Sequence, residues 1–269
     1  IFDRPTRLPA LMPTGRPGEP EPTPELERPT GLLFDNDVGG FSADGHEYVI
    51  YLGSGAEGVE QAGWPPAPWI NVIANPSFGC LVSEGGLGYS WAENSGENRL
   101  TPWRNDPVSD IPAEAVYLRD EETGDVWSPT PLPAGDDGPY LVRHRAGRSV
   151  FEHNSRGLEQ ELDVFVDREA PVKVVELRLR NAWSRRRRLT VTFYAEWVLG
   201  VNRDQSQQTI VPRYDEHTGA LLAQNPYSPE FDRRVAFVAA SKEPHGLTAD
   251  RTEFLGRKGR MAQPAALGR

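Results

Sequence analysis

The sequence predicts an all-β fold, and three observations carry that prediction. Glycine and proline, 26 and 25 of 269 residues, supply many turns and leave little room for long helices. Short apolar runs bounded by Pro, Gly and Asp recur along most of the chain. Two stretches, 158–166 and 189–197, alternate apolar and polar residues with a period of two, the mark of a strand with one face against a core.

Taken in order, residues 5–30 are rich in Pro, Glu, Arg and Thr without periodicity and read as an extended linker or the tail of a preceding domain. Globular patterning starts at Gly31-Leu32-Leu33-Phe34, so residues 1–30 and 31–269 are taken as separate units. Residues 47–52 make a strand after an Asp44-Gly45 turn, and 69–74 and 78–83 make two more. Residues 85–106 read as one long connection without secondary structure of its own. Residues 115–118 and 125–127 form a hairpin around Glu122-Thr123-Gly124. Leu158, Gln160, Leu162, Val164 and Val166 line an apolar face opposite an acidic one. Residues 172–180 read as the partner strand of 189–197, with Arg185–Arg188 as a solvated hairpin turn between them. His217-Thr218-Gly219 marks another hairpin, and 234–240 another strand. The stretch 256–269 ends without a stop signal, and Ile1 opens the chain with neither Met nor a secretory leader, so the reading is of a fragment cut before its final strands.

Charge and composition exclude several classes. A net charge of −10 argues against nucleic acid, whose binding depends on a positive surface. Cys80 alone permits no internal disulfide and no multi-thiolate zinc site, which fits a cytoplasmic setting. No run of about 18 apolar residues exists that could cross a bilayer as a helix. His46, His144, His153, His217 and His245 are scattered without metal-ligand spacing, and no GxSxG, phosphate-cradling Gly loop or CxxC occurs. No metal ligand, cofactor or catalytic residue is assigned.

The segment 85–106 carries the candidate chemistry. Tyr89, Trp91 and Trp103 offer flat apolar faces, and Asn94, Asn98, Arg99, Arg104 and Asn105 offer hydrogen-bonding groups, a pairing that suits a sugar's C–H faces and hydroxyls. The plain alternative is that the rings pin a loop to the sandwich. Carboxylates are abundant, but among 39 acidic residues nearby pairs arise by chance, and none is spaced to flank a glycosidic bond.

The runs Asn75-Pro76-Ser77-Phe78-Gly79 and Ser83-Glu84-Gly85-Gly86-Leu87-Gly88-Tyr89-Ser90-Trp91 resemble the N-terminal domain of the family 94 glycoside phosphorylases, especially the phosphorylase-like region of cyclic β-1,2-glucan synthases. Val116-Tyr117-Leu118-Arg119-Asp120, Phe151-Glu152-His153-Asn154 and Glu196-Trp197-Val198-Leu199-Gly200 continue the resemblance in order. It implies a two-sheet antiparallel super-sandwich of the galactose mutarotase-like kind, followed in the parent protein by an α/α toroid. There an aspartic acid acts as general acid while inorganic phosphate, the co-substrate, attacks with inversion. The sandwich is then expected to be inactive alone, to lend a sugar-contacting loop to a β-glucan oligosaccharide site and to support a homodimer. The parent is either a free cytoplasmic phosphorylase or a synthase anchored in a bacterial inner membrane. The substrate-binding residues that the resemblance assigns are Tyr89, Ser90, Trp91, Arg99, Trp103, Arg104 and Asn105. Arg145, Arg148 and Arg156 depart from the family pattern, and no site is assigned to 140–156 or to 203–232. A stand-alone carbohydrate-binding sandwich and a self-sufficient hydrolase are the competing readings.

Overall fold

Alternating sequence, Pro and Gly punctuation and few helix formers resolve into fifteen strands in a computed structural model that describes residues 21–53 and 63–268. They are β1 (Gly39–Phe41), β2 (Glu47–Leu52), β3 (Ile70–Ala74), β4 (Phe78–Ser83), β5 (Leu87–Ala92), β6 (Glu114–Asp120), β7 (Val126–Trp127), β8 (Tyr140–Arg145), β9 (Arg148–Ser155), β10 (Leu158–Val166), β11 (Lys173–Asn181), β12 (Leu189–Ala195), β13 (Val211–Asp215), β14 (Ala220–Gln224) and β15 (Ala236–Val238). Two short α-helices, α1 (Arg203–Ser206) and α2 (Arg251–Leu255), and a 3-10 helix at Ala265–Gly268 complete the list.

One layer is a six-stranded antiparallel sheet in the order β1-β2-β8-β9-β10-β11. The opposing layer is assembled from two three-stranded sheets, β3-β4-β5 and β12-β6-β7. Between them lies the main core, where Ile50, Val142, Phe151, Leu162 and Val164 of the first layer meet Ile73, Cys80, Val82, Leu87 and Val116 of the second. The arrangement is the antiparallel super-sandwich that the resemblance implies. A fourth sheet, β13-β14-β15, stands apart, and its Ala223 and Ala236 pack with Leu199 and Leu100.

Strand β6 is buried along its whole length because it is covered on both sides. At period two, Val116 and Leu118 face the six-stranded sheet, while Ala115 and Tyr117 meet Phe254 and Leu255 of α2 and Met261. The Tyr117 hydroxyl donates to the Met261 carbonyl at 2.8 Å. Helix α2 starts where Asp250 caps it, accepting from the amides of Thr252 and Glu253, and closes at Gly256, whose φ of 86° favours glycine.

Three sequence expectations change. Strand β11 pairs with β10 from Leu158↔Asn181 to Val166↔Lys173, and β12 pairs with β6, so residues 172–180 are not the partner of 189–197. The chain crosses between layers there, and Arg185–Arg188 is the crossover, not a solvated hairpin. The Arg187 side chain is 3% exposed and ion-paired to Asp120 at 2.5 Å, and its guanidinium stacks 4.4 Å over Trp183. Residues 85–106 are not a structureless connection, because their first part is β5, which pairs with β4. Sequence reading also passed over β1, β8 and β9.

Residues 21–30 contain no helix or strand, yet they are tied to the sandwich: Trp183 Nε1 donates to the Glu21 carbonyl at 2.8 Å, Gly157 N to Thr23 Oγ1 at 2.8 Å, and the Tyr51 hydroxyl to the Leu26 carbonyl at 3.1 Å. The rest of the linker reading, residues 5–20, lies outside the described residues.

Glu84, in the turn between β4 and β5, is 2% exposed and accepts from the Trp69 amide at 2.7 Å. Burial raises its carboxyl from 4.5 to about 7 against the pull of its amide donors. The folded carboxyl therefore keeps its proton to higher pH than the unfolded one, and stability from this group is lost as pH rises from 4.5 through about 7. Glu84→Gln removes that ionisation and keeps an acceptor for Trp69. In urea unfolding the variant is predicted to match the parent near pH 4.5 and to exceed it by roughly 2–3 kcal/mol at pH 8. Parallel pH profiles would contradict the assignment.

Candidate functional site

An open pocket of about 350 Å³ lies where three distant parts of the chain converge. The loop after β5 supplies Arg99, Pro102, Trp103 and Arg104, the end of β12 supplies Glu196, residues 201–204 supply the N-terminal side of α1, and Arg251 opens α2. Arg99 is fixed by its backbone, which exchanges hydrogen bonds with Gly200 at 3.1 and 3.0 Å, and by its side chain, which donates to the carbonyls of Ser95 and Val201. Asn202 caps α1 by accepting from the Gln205 amide, which sets Arg203 and Asp204 on the pocket wall.

Glu196 is the centre of the pocket's electrostatics. Its side chain is 2% exposed, and three guanidiniums surround it: Arg104 Nη2 at 3.2 Å from Oε2, and Arg203 Nε at 2.9 Å and Arg251 Nε at 3.6 Å from Oε1. Oε1 is itself buried and has no aligned hydrogen-bond donor among the described residues, so Arg203 and Arg251 hold it by charge. Beneath it, burial followed by the Glu196 charge raises the phenol of Tyr194.

Part of the lining is aromatic. Trp103 is 39% exposed and stacks on Tyr89 with ring centroids 5.4 Å apart and an interplanar angle of 6°. Tyr89 is 5% exposed and meets Trp91 at 5.2 Å. Trp91 in turn packs on Gly79, where a Cβ would come within 2.3 Å of its ring, so only glycine leaves room for it.

Of the seven residues assigned from sequence, Arg99, Trp103 and Arg104 line the pocket. Tyr89 and Trp91 form the support behind Trp103. Ser90 points elsewhere: it is 3% exposed, its hydroxyl donates to Glu114 Oε1 at 2.7 Å and accepts from Lys173 Nζ at 2.8 Å, and nothing of it reaches the pocket. Asn105 is exposed, with a φ of 49°, and lies outside the lining. Sequence reasoning missed Glu196, Arg251 and Arg203, the last within a stretch to which no site was assigned. Among the described residues, no three His, Cys, Asp or Glu side chains converge to hold a metal ion.

Comparison with known proteins places these observations. Residues 56–269 match the family described as "Glycosyl hydrolase 94, supersandwich domain". The chain is 40% identical over 258 residues to the cyclic beta-(1,2)-glucan synthase NdvB of Rhizobium meliloti, a match covering 96% of this chain and 9% of that protein. It is 27% identical over 236 residues to the N,N'-diacetylchitobiose phosphorylase of Vibrio furnissii, covering 85% of this chain and 28% of that one. A solabiose phosphorylase of Paenibacillus borealis is 26% identical over 246 residues, 86% of this chain and 30% of the relative. The chain thus spans 9% to 30% of the length of these relatives.

The shared carboxylate makes the arginine cluster asymmetric. Glu196→Ala leaves three guanidiniums facing one another without their counter-charge and is predicted to cost about 2–4 kcal/mol in guanidinium chloride unfolding. Arg104→Ala leaves Arg203 and Arg251 on Glu196 and is predicted to cost less than about 1 kcal/mol. Equal costs for the two would show that Glu196 does not organise the cluster.

Proposed function

This chain belongs to the glycosyl hydrolase 94 supersandwich-domain family, and we propose that it is the non-catalytic sandwich of a glucan phosphorylase or cyclic β-1,2-glucan synthase type enzyme, with the pocket between Trp103 and Glu196 as its sugar contact. The observation that carries the sugar reading is the pairing of a half-exposed indole, backed by a buried stack, with guanidinium donors ordered around a buried carboxylate. A sugar ring laid on Trp103 would present its hydroxyls to Arg99 and Arg104 as acceptors.

On this reading the bond-breaking chemistry belongs to an α/α toroid in the same parent protein. Its aspartic acid protonates the glycosidic oxygen while inorganic phosphate attacks the anomeric carbon with inversion. The sandwich orients the glucan and excludes water from one side of it, and two parent copies pair as a homodimer. No described helix is long and apolar enough to cross a membrane, so anchoring of the parent would rest on other segments.

A second reading is an independent carbohydrate-binding module. Calorimetry of the chain with β-1,2-gluco-oligosaccharides separates the two, since heat at millimolar ligand supports the independent module and its absence supports a rim completed by the toroid. For the sugar contact itself, Trp103→Ala in the complete parent enzyme is predicted to lower kcat/KM for oligosaccharide at least about tenfold, from loss of stacking, with the melting temperature within a few degrees of the parent. Unchanged kinetics would remove the pocket from the substrate path.

A further inference from the structure

The pocket's charge runs against that of the whole chain. The chain carries −10, yet the pocket lining holds Arg99, Arg104, Arg203 and Arg251 against only Glu196 and Asp204, an excess of two positive charges. Among the described residues, Glu196 is the only carboxylate within ion-pair distance of Arg104, Arg203 and Arg251. Arg203 and Arg251 come closest to it through Nε, whereas an oxyanion is gripped bidentately by a pair of guanidinium nitrogens. Their side chains are 37% and 43% exposed, so an incoming anion meets charges that are accessible and already oriented by Glu196. A neutral glucan needs hydroxyl acceptors and donors but not an excess of guanidinium charge.

We propose that this pocket binds an oxyanion, a phosphoryl or carboxylate group, in the fork formed by Arg203 and Arg251 with Arg99 and Arg104 at its rim. The oxyanion is either free or carried on a sugar, and in the second case the inference rests on the sugar-contact reading and narrows its ligand to an anionic sugar laid against Trp103. Asp204, exposed on α1, sets the strength of the site from its edge by opposing the anion.

Calorimetric titration of the full chain at low ionic strength with glucose, glucuronate, glucose 6-phosphate and inorganic phosphate tests this. At least one of the three anions is expected to bind about tenfold or more tightly than glucose, with affinity falling as sodium chloride is added. Arg203→Gln is expected to weaken that binding about tenfold, and Asp204→Asn, an exposed change outside the ion pairs, to strengthen it severalfold. An anionic sugar that binds more tightly than both glucose and phosphate identifies a sugar-borne group, whereas phosphate alone binding as tightly as glucose 6-phosphate identifies a free oxyanion. Glucose binding as tightly as the anions would overturn the proposal and leave the sugar contact standing, and no binding by any of the three anions would overturn the proposal while the kinetics of Trp103→Ala still decide the sugar contact. Anion binding unmoved by both variants would place the anion elsewhere and overturn the proposal as well.

Discussion

Lys173 and Glu114 meet with side chains 9% and 4% exposed, and a pair so far removed from water is stable only while both partners are present and fully hydrogen bonded. Both partners are present, with Glu114 bonded at both oxygens and Lys173 at two of its three donors. Glu114 Oε1 accepts from the hydroxyls of Ser90, at 2.7 Å, and Thr101, at 2.9 Å, while Lys173 Nζ donates to Glu114 Oε2 and to the Ser90 hydroxyl. The four residues come from β11, β6, β5 and the loop after β5, so one buried cluster ties the six-stranded sheet to both sheets of the opposing layer. Cys80 lies in the same core, and burial pushes its thiol up to about 11, which makes it an inert packing residue there.

The pocket inherits its geometry from this cluster. Thr101 Oγ1 accepts from the Ser90 amide as well as donating to Glu114, and two residues later the chain presents Trp103 and Arg104. On the other side, Glu114 is the register partner of Ala195, and the next residue is Glu196, whose amide donates to the Ala113 carbonyl. The aromatic wall and the carboxylate centre are therefore both held within a few residues of one buried ion pair. Ser90, assigned from sequence as a sugar contact, belongs to this support and acts on the pocket only through it.

What could be read from sequence follows from where the information lies. In β10, Leu158, Leu162 and Val164 are buried on the face that alternation marks as apolar, because that strand has a core on one side and water on much of the other. Strand β5 escaped because Gly85, Gly86 and Gly88 and three aromatics look like a binding loop, whereas the glycines serve the β4–β5 turn and close backbone approach. At Gly88, a Cβ would lie 2.4 Å from the Leu81 carbonyl oxygen. The crossover at Arg185–Arg188 looks like any basic turn until Asp120 is placed beside it, since a buried arginine is betrayed only by its distant partner. The pocket was half legible for the same reason. Arg99, Trp103 and Arg104 are neighbours in sequence, but Glu196, Arg203 and Arg251 join them only through the folding of β12, α1 and α2.

The dependence of the sandwich and its pocket on one buried pair is tested most directly by a double-mutant cycle on Lys173→Met and Glu114→Gln, read by chemical unfolding. Each single change is predicted to cost about 3–5 kcal/mol, because it strands a buried polar or charged partner, and the double change to cost less than the sum of the two by at least about 1 kcal/mol. Single changes below about 1 kcal/mol, or strict additivity in the double, would contradict the account.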